Sequence, residues 1–266
     1  HDTHNRGKEV LRLFVKYGAP ESILYDAKPH IGTDILAKVV KNIREAIISM
    51  GGEVRFHTKV TGIRTKRSID FSDEPALAML HLEDTRTNIG EDLLTDVAVL
   101  AIGHSARDTF GLLNLSDIKM EPKPFAVGVR VEHSQDMIDE SQYGKNAPES
   151  LPAAAYKLTA KTKEGRGVYT FCMCPGGYVV NASSEENRLA VNGMSYSGRN
   201  GKNANSAVIV TVSPEDFPEK GVLGGLAFQR QLEEAAFAEG QGKIPVQLFG
   251  DFKKNVPSSS AGAIAP

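Results

Sequence analysis

Residues 95–108, with the sequence TDVAVLAIGHSARD, decide which fold this chain is predicted to adopt. The run DVAVLA (96–101) has the length of a strand and is apolar after its first residue, the run breaks at Gly103, and a polar segment that predicts a helix follows. An open α/β sheet uses this order of strand, glycine turn and helix to present backbone N–H groups to a ligand. The alternative is a core strand without a ligand, because a short apolar run is typical of both.

Composition limits the class of protein. The 266 residues are enough for one large domain or two ordinary ones, and a hydrophobic content of 41% with 24% charged residues is typical of a globular chain. Because 31 basic residues nearly balance 33 acidic ones, charge predicts neither a nucleic-acid partner nor an anionic membrane surface. No apolar run is long enough for a bilayer span. A small-molecule substrate and a cytoplasmic location are therefore expected, and the oligomeric state is not predicted.

The order of elements predicts an α/β fold with part of a Rossmann-like dinucleotide-binding domain and an inserted, mainly antiparallel β domain. Apolar residues at three- and four-residue spacing predict a helix over 34–50, which ends at Gly51-Gly52. Strand-like residues, one arm of a hairpin over 77–84 and the 96–101 run follow. Periodicity alone also allows other α/β folds.

Three segments form the predicted domain organisation. Residues 1–118 are expected to be the partial dinucleotide-binding domain, 119–222 the antiparallel substrate domain, and 223–266 the return to the dinucleotide-binding domain. The middle segment carries short strand patterns separated by Gly, Asn or Ser, with one helix over 134–143. A helix is predicted over 224–239. The composition of both ends predicts that this chain is a segment of a longer protein. The sequence does not start with Met, and its last residues show no helix or strand pattern.

The most unusual run is FCMCPGGY (171–178). A strand that ends in Cys-Pro-Gly-Gly predicts a tight turn that a flat ligand could approach, with weak substrate-binding candidates at Pro175, Gly176 and Gly177. Cys172 and Cys174 are weak catalytic candidates, and free thiols are expected because one intervening residue would strain a disulfide. The alternative is a glycine hairpin with two small buried hydrophobic residues. No metal site is predicted, since the pair lacks further ligands.

Two polar loops contribute further candidates. Arg199 in NGMSYSGR (192–199) could bind a carboxylate or phosphate through two N–H groups, although a solvated loop arginine is an equal alternative. His30, between Pro29 and Gly32, is the best acid–base candidate among the histidines, and His104 is next. A structural role for His30 is the competing interpretation. The chain shows no G-x-G-x-x-G dinucleotide fingerprint and no nucleophile elbow.

Several runs resemble the uncharacterised bacterial FAD-dependent dehydrogenases, NAD(P)/FAD-dependent oxidoreductases. The matching runs cover nearly the whole chain: KPHIGTD (28–34), VVKNIREAIISMGGEVRF (39–56), VLAIGHSARDTF (99–110), YTFCMCPGGYVV (169–180), VNGMSYSGRN (191–200) and FQRQLEEAAF (228–237). The resemblance implies that the cofactor is FAD, so that the partial Rossmann-like domain over 1–118 and 223–266 is expected to be an FAD-binding domain. It also implies that a G-x-G-x-x-G strand lies upstream and a second FAD-binding segment downstream. By the same resemblance, the FAD contacts fall at six positions: Thr58, Val60, Thr61, Ala101, Ile102 and Gly103.

The resulting hypothesis is the middle portion of an FAD-dependent oxidoreductase that transfers hydride through the flavin, with an unknown substrate. The alternative is a non-catalytic binding or scaffold module that keeps the fold without the cofactor. A weaker third hypothesis is a thiol redox role for Cys172 and Cys174. The resemblance transfers no catalytic residue.

Overall fold

The computed structural model describes residues 6–67, 75–116, 118–148 and 150–260. Its α-helices are α1 (Arg6–Lys16), α2 (Thr33–Ser49), α3 (Arg107–Leu115), α4 (Gln135–Tyr143), α5 (Gly224–Glu239) and α6 (Phe249–Lys254). Its strands are β1 (Thr58–Arg67), β2 (Pro75–Asp84), β3 (Gly90–Leu94), β4 (Phe125–Ser134), β5 (Thr159–Lys161), β6 (Gly167–Cys174), β7 (Gly177–Asn181), β8 (Val191–Ser195) and β9 (Asn203–Val212). No helix in this described part combines the length and apolar character required to cross a membrane.

The chain divides into two compact units. The first unit comprises His1–Glu53, Phe125–Val212 and Leu232–Pro266, and the second comprises Val54–Pro124 and Ser213–Gln231. The domain boundaries at 118/119 and 222/223 stay a prediction.

In the first unit, α1 and α2 share a small apolar core. Val39 of α2 is fully buried with Ala19 and Ile23, and apolar side chains from both helices pack around them. The chain reverses after α1 at Gly18, whose φ of 108° lies in the left-handed region that glycine tolerates. Helix α2 confirms the helix predicted over 34–50. Its apolar residues recur with helical periodicity, so they lie on the one face that covers this core.

The sheets of the first unit are antiparallel, as expected for the middle segment. One has the strand order β4-β9-β6-β5, and the other pairs β7 with β8. Val131 pairs with Ser206 in an unbroken register between β4 and β9. The β6–β9 register shifts between Phe171 and Cys174, so a bulge lies at the Cys-Met-Cys run. A bulge re-aims the neighbouring side chains and increases local twist.

The second unit contains the antiparallel sheet β1-β2-β3 and the helix α3. The predicted hairpin arm over 77–84 is confirmed by β2, and the helix expected after Gly103 is confirmed by α3. Lys59 of β1 donates to Asp108 of α3 at 2.7 Å, which ties the helix to the sheet. Phe217 and Phe228 form a tilted aromatic pair with centroids 6.1 Å apart.

The predicted strand over 96–101 is wrong. Residues 97–103 lie in no strand, and the exposed fractions of Val97 and Val99 are 77% and 87%. Every strand pair among the described residues is antiparallel, so the parallel sheet of a Rossmann-like domain is not confirmed. The physical reason is that a parallel strand needs partners that are remote in sequence, and no such partner pairs with this segment within the described ranges.

Candidate functional site

Three of the unusual sequence runs meet in the first unit. The loop that leads into α2 contacts the 196–201 loop, because Ser197 donates to the Asp34 carboxylate from its backbone N (2.9 Å) and its Oγ (2.7 Å). The same loop contacts the Cys-Pro-Gly-Gly turn, where the Gly201 N–H donates to the Gly176 carbonyl at 3.2 Å. Residues separated by more than 160 positions thus form one cluster, which we call the loop cluster (28–34, 172–177 and 192–201).

Glycine is required where these loops touch. A Cβ added at Gly32 would lie 2.4 Å from the backbone N of Ser197, and one added at Gly176 would lie 1.8 Å from the carbonyl O of Arg199. Both glycines also have positive φ, 88° and 52°. At Gly177 the nearest obstacle is the Met194 carbonyl at 2.2 Å. The loops therefore approach each other backbone to backbone, which only residues without a side chain permit.

The predicted substrate-binding residues of the turn have a different environment from the one expected. Pro175, Gly176 and Gly177 are buried, and the space beside the two glycines is filled by neighbouring backbone of this chain. A direct contact with substrate stays a prediction for these three residues. The geometry gives them a positioning role, because Gly176 lies against the backbone of Arg199.

Arg199 occupies an unusual conformation in the loop cluster. Its φ is 47°, in the left-handed region that residues other than Gly, Asn and Asp rarely adopt. Its backbone N–H donates to the Tyr196 carbonyl at 3.1 Å, which closes the turn. Its Nε is buried and has no hydrogen-bond partner among the described residues. Strain of this kind persists only where the surroundings over-determine the backbone, and it concentrates at ligand sites.

His30 lies at the same turn as Arg199. Its Nε2 is 3.4 Å from the Tyr196 carbonyl, the acceptor that the Arg199 N–H also uses. A carbonyl only accepts, so the geometry suits a neutral ring with the proton on Nε2. Burial of the ring, followed by the nearby Arg199 charge, lowers the pKa of His30 below 6.5, although Asp34 opposes the shift. At neutral pH His30 is therefore an uncharged proton acceptor or donor.

The two cysteines are free thiols, as the sequence predicted. Cys172 is exposed and has a φ of 45°, and the Cys174 thiol donates to the Cys172 carbonyl at 3.4 Å. Desolvation raises the pKa of the Cys172 thiol above its usual value. A raised pKa reduces the thiolate fraction at neutral pH, so this environment does not favour a nucleophilic role.

Sequence reasoning missed Arg130, which organises the bulge beside these thiols. Its guanidinium donates to the Asn205 side chain (2.7 Å), to the Cys172 carbonyl (2.6 Å) and to the Cys174 Sγ (3.6 Å). A Cβ at Gly193 would lie 2.2 Å from the guanidinium, so that glycine makes room for it. The available signal was a single charged residue at an alternating position of the apolar strand VGVRV, where a buried cation needs partners.

A shallow cleft of about 240 Å³ opens beside the bulge. Its lining combines basic, aromatic and thiol groups from three parts of the chain: Lys28, Ala155, Tyr156, Lys157, Thr170, Phe171, Cys172 and Met173. His133 and the Tyr156 hydroxyl are 2.8 Å apart, and desolvation raises the pKa of Tyr156. A larger depression of about 540 Å³ beside β5 and β6 contains none of the predicted site residues.

The FAD contacts implied by the resemblance lie in the second unit. Thr58 donates to the Phe56 carbonyl at 3.1 Å, and Val60 pairs with Leu82 of β2. Thr61 sits at a bulge, because the register passes from Val60 directly to Gly62. Its Oγ1 is buried and has no partner among the described residues. A buried hydroxyl without a partner is costly, so this position suits a polar ligand atom.

The turn over 101–103 is open. Gly103 has a φ of 69°, and a Cβ added there would have nothing within 4 Å. Ala101 and Ile102 are exposed. The turn leads into α3, which Lys59 anchors to β1; that hydrogen bond is also the main cause of the lowered pKa of Asp108. An accessible glycine turn suits a backbone-mediated contact with a dinucleotide.

The structure therefore sorts the predicted residues into two groups. His30, Cys172, Cys174, Pro175, Gly176, Gly177 and Arg199 belong to the first unit, and Thr58, Val60, Thr61, Ala101, Ile102 and Gly103 belong to the second. Among the described residues, no group of three or more His, Cys, Asp or Glu side chains could hold a metal ion.

Comparison with known proteins identifies relatives of this chain. Residues 124–266 match the family described as "FAD-dependent protein, C-terminal domain-like". A protein of Clostridium beijerinckii with the name "Uncharacterized protein" is 48% identical over 261 residues, which cover 97% of this chain and 46% of the relative. The chain thus spans about half the length of that relative.

Proposed function

This chain belongs to the FAD-dependent protein, C-terminal domain-like family, and we propose that it is part of a longer FAD-dependent oxidoreductase that acts on a small molecule. The family match carries the proposal. The open Gly103 turn and the Thr61 hydroxyl support it, because both are suited to holding a dinucleotide. Bound FAD would supply the hydride chemistry, while the chain supplies binding and orientation.

The roles of the second-unit residues follow from their geometry. The backbone of residues 101–103 would donate to the cofactor without interference from a side chain, since the space at Gly103 is empty. The Thr61 hydroxyl would find the hydrogen-bond partner that it lacks. Thr58 and Val60 would hold the β1 edge in place through their contacts with Phe56 and Leu82.

The exposed segment 97–102 supports a longer polypeptide. Its residues are apolar, as is typical of a buried strand, yet Val97, Val99 and Leu100 are more than half exposed. We propose that this segment, which forms no strand in the present chain, joins a Rossmann-like parallel sheet that strands of the longer protein complete. Pairing would satisfy its backbone groups, and burial would remove its apolar side chains from water.

Absorbance of the longer protein, purified with its cofactor, tests the function. The expected result is a visible flavin band that bleaches on anaerobic reduction. Gly103→Val should weaken FAD binding by about tenfold or more, because a branched side chain would block the backbone contact. Gly165→Val is the matched control, since Gly165 also has a positive φ (83°) and empty space around it, and it should leave the flavin band unchanged.

Colourless protein that does not take up added FAD would contradict the oxidoreductase and support the alternative, a binding or scaffold module. Replacement of both Cys172 and Cys174 by Ser, without loss of activity, would eliminate the thiol redox hypothesis.

A further inference from the structure

Arg199 has a guanidinium N–H for which the described residues provide no acceptor. Its Nε is buried, and no carboxylate or carbonyl among the described residues accepts from it. The Asp34 carboxylate, the anionic group of the adjoining loop, instead accepts both hydrogen bonds from Ser197. Those bonds lower the pKa of Asp34, so the carboxylate is already satisfied. A buried guanidinium N–H without a partner is unfavourable and calls for a missing acceptor.

The backbone around Arg199 is constrained from two sides. Gly32 allows Ser197 to approach, and Gly176 allows the Arg199 carbonyl to approach. The φ of 47° at Arg199 is the conformation that this packing imposes. The fold thus keeps an arginine where glycine or asparagine would be less strained, which indicates that the guanidinium itself is needed.

His30 braces the turn that holds Arg199. Both its Nε2 and the Arg199 N–H lie within hydrogen-bond distance of the Tyr196 carbonyl, so the imidazole ring and the arginine share one turn. The one N–H of the neutral ring is directed at the Tyr196 carbonyl, so His30 braces the turn and leaves contact with an anion to Arg199.

We propose that Arg199, in the turn that His30 braces, forms an oxyanion site that binds the carboxylate or phosphate group of a small-molecule ligand. The planar guanidinium offers parallel N–H donors that match a carboxylate or phosphate, and the buried Nε is one of them. Identification of the ligand as the substrate rests on the proposed function. The oxyanion site itself rests only on the geometry of the first unit.

The test uses amide NMR spectra of the intact chain during separate titrations with inorganic phosphate and acetate. The expected result is a saturable shift of the resonances of residues 196–201 by at least one of the anions. Arg199→Asn should weaken that binding by about tenfold or more, and Arg199→Lys, which keeps the charge but loses the planar donors, should fall between. The unfolding midpoint of Arg199→Asn should not decrease, because asparagine tolerates positive φ.

Lys202→Met is the matched control, since it removes one exposed positive charge three residues away and should change the affinity by less than about twofold. Equal affinities for wild type and Arg199→Asn, or shifts that never saturate, would overturn the site. So would loss of binding in Lys202→Met that equals the loss in Arg199→Asn.

A titration of the FAD-loaded longer protein separates two sources of the oxyanion. If the site still binds phosphate with FAD bound, the oxyanion belongs to the substrate. If FAD abolishes phosphate binding, the diphosphate of FAD is the oxyanion. A colourless longer protein would refute the oxidoreductase while the anion titration still reports on the site.

Discussion

At the scale of single residues, backbone contacts between glycines and their neighbours organise the loop cluster. Gly32 and Gly176 are unlike glycines in ordinary exposed turns, because each faces the backbone of another loop at a distance that excludes a Cβ. The sequence predicted the tight turn at Cys-Pro-Gly-Gly, but its neighbour is Arg199 of this chain. The identity of that neighbour depends on tertiary contacts that no local pattern contains.

Gly176→Ala should destabilise the fold by about 2–4 kcal/mol, because it combines a strained positive φ with a backbone overlap. Gly111→Ala in α3 is the control, since nothing lies within 4 Å of the added Cβ, and it should stabilise by about 0.5–1 kcal/mol. Chemical denaturation of both variants measures the difference. Equal stabilities would show that the close approach at Gly176 is not maintained in solution.

His30 should titrate below its ordinary pKa of 6.5, with burial as the main cause and Arg199 as the second. Asp34 and the Tyr196 carbonyl, which also face the ring, oppose the shift. Imidazole NMR signals followed against pH measure this pKa, and Arg199→Asn should raise it. A folded-state pKa at or above 6.5 would contradict the prediction.

The same shift determines how stability depends on pH. Because the folded pKa of His30 is lower than the unfolded value, the unfolded chain binds the proton first as pH decreases. The contribution of His30 to stability is therefore complete above pH 6.5, decreases as pH falls toward the folded pKa, and is constant below it. Comparison of wild type with His30→Gln by denaturation at several pH values isolates this contribution.

At the scale of secondary-structure elements, amphipathic helices were the most predictable part of the chain. The apolar stripe of α2 is a local pattern, so its bounds could be predicted to within one residue at each end. The strand over 96–101 could not be predicted correctly, because a strand exists only through hydrogen bonds to a neighbour.

Val39→Ala in α2 should destabilise the first unit by about 1.5–3 kcal/mol, because the fully buried side chain leaves a cavity beside Ala19 and Ile23. Val40→Ala tests the opposite face of the same helix, where the exposed fraction is 57%, and should change stability by less than about 0.5 kcal/mol. Thermal or urea unfolding provides both values. Similar losses would mean that the face carrying Val40 is covered.

At the scale of the whole molecule, the exposed apolar segment 97–102 is the feature that a longer protein would change most. Its amides should exchange rapidly with solvent in this chain, because none pairs with a strand within the described ranges. In the longer flavoprotein they should become protected, since strand pairing withdraws amides from water. Hydrogen–deuterium exchange compares the two, with the β9 amides of 206–210 as a reference that should be protected in both. Rapid exchange of 97–102 in the longer protein would contradict the proposed sheet.

The sequence by itself determined helices α2 to α5, the antiparallel character of the middle segment, the free thiols and the resemblance to FAD-dependent proteins, because periodicity, turn residues and motif runs are local properties. Tertiary structure alone decided that His30, Asp34, Ser197, Arg199 and Gly176 meet, and that Arg130 holds the Cys172 bulge. These contacts join segments more than 20 residues apart, and the unpartnered Nε of Arg199 becomes visible only after its neighbours are in place. The physical reason is that hydrogen-bond satisfaction and steric exclusion depend on which segments are neighbours in space.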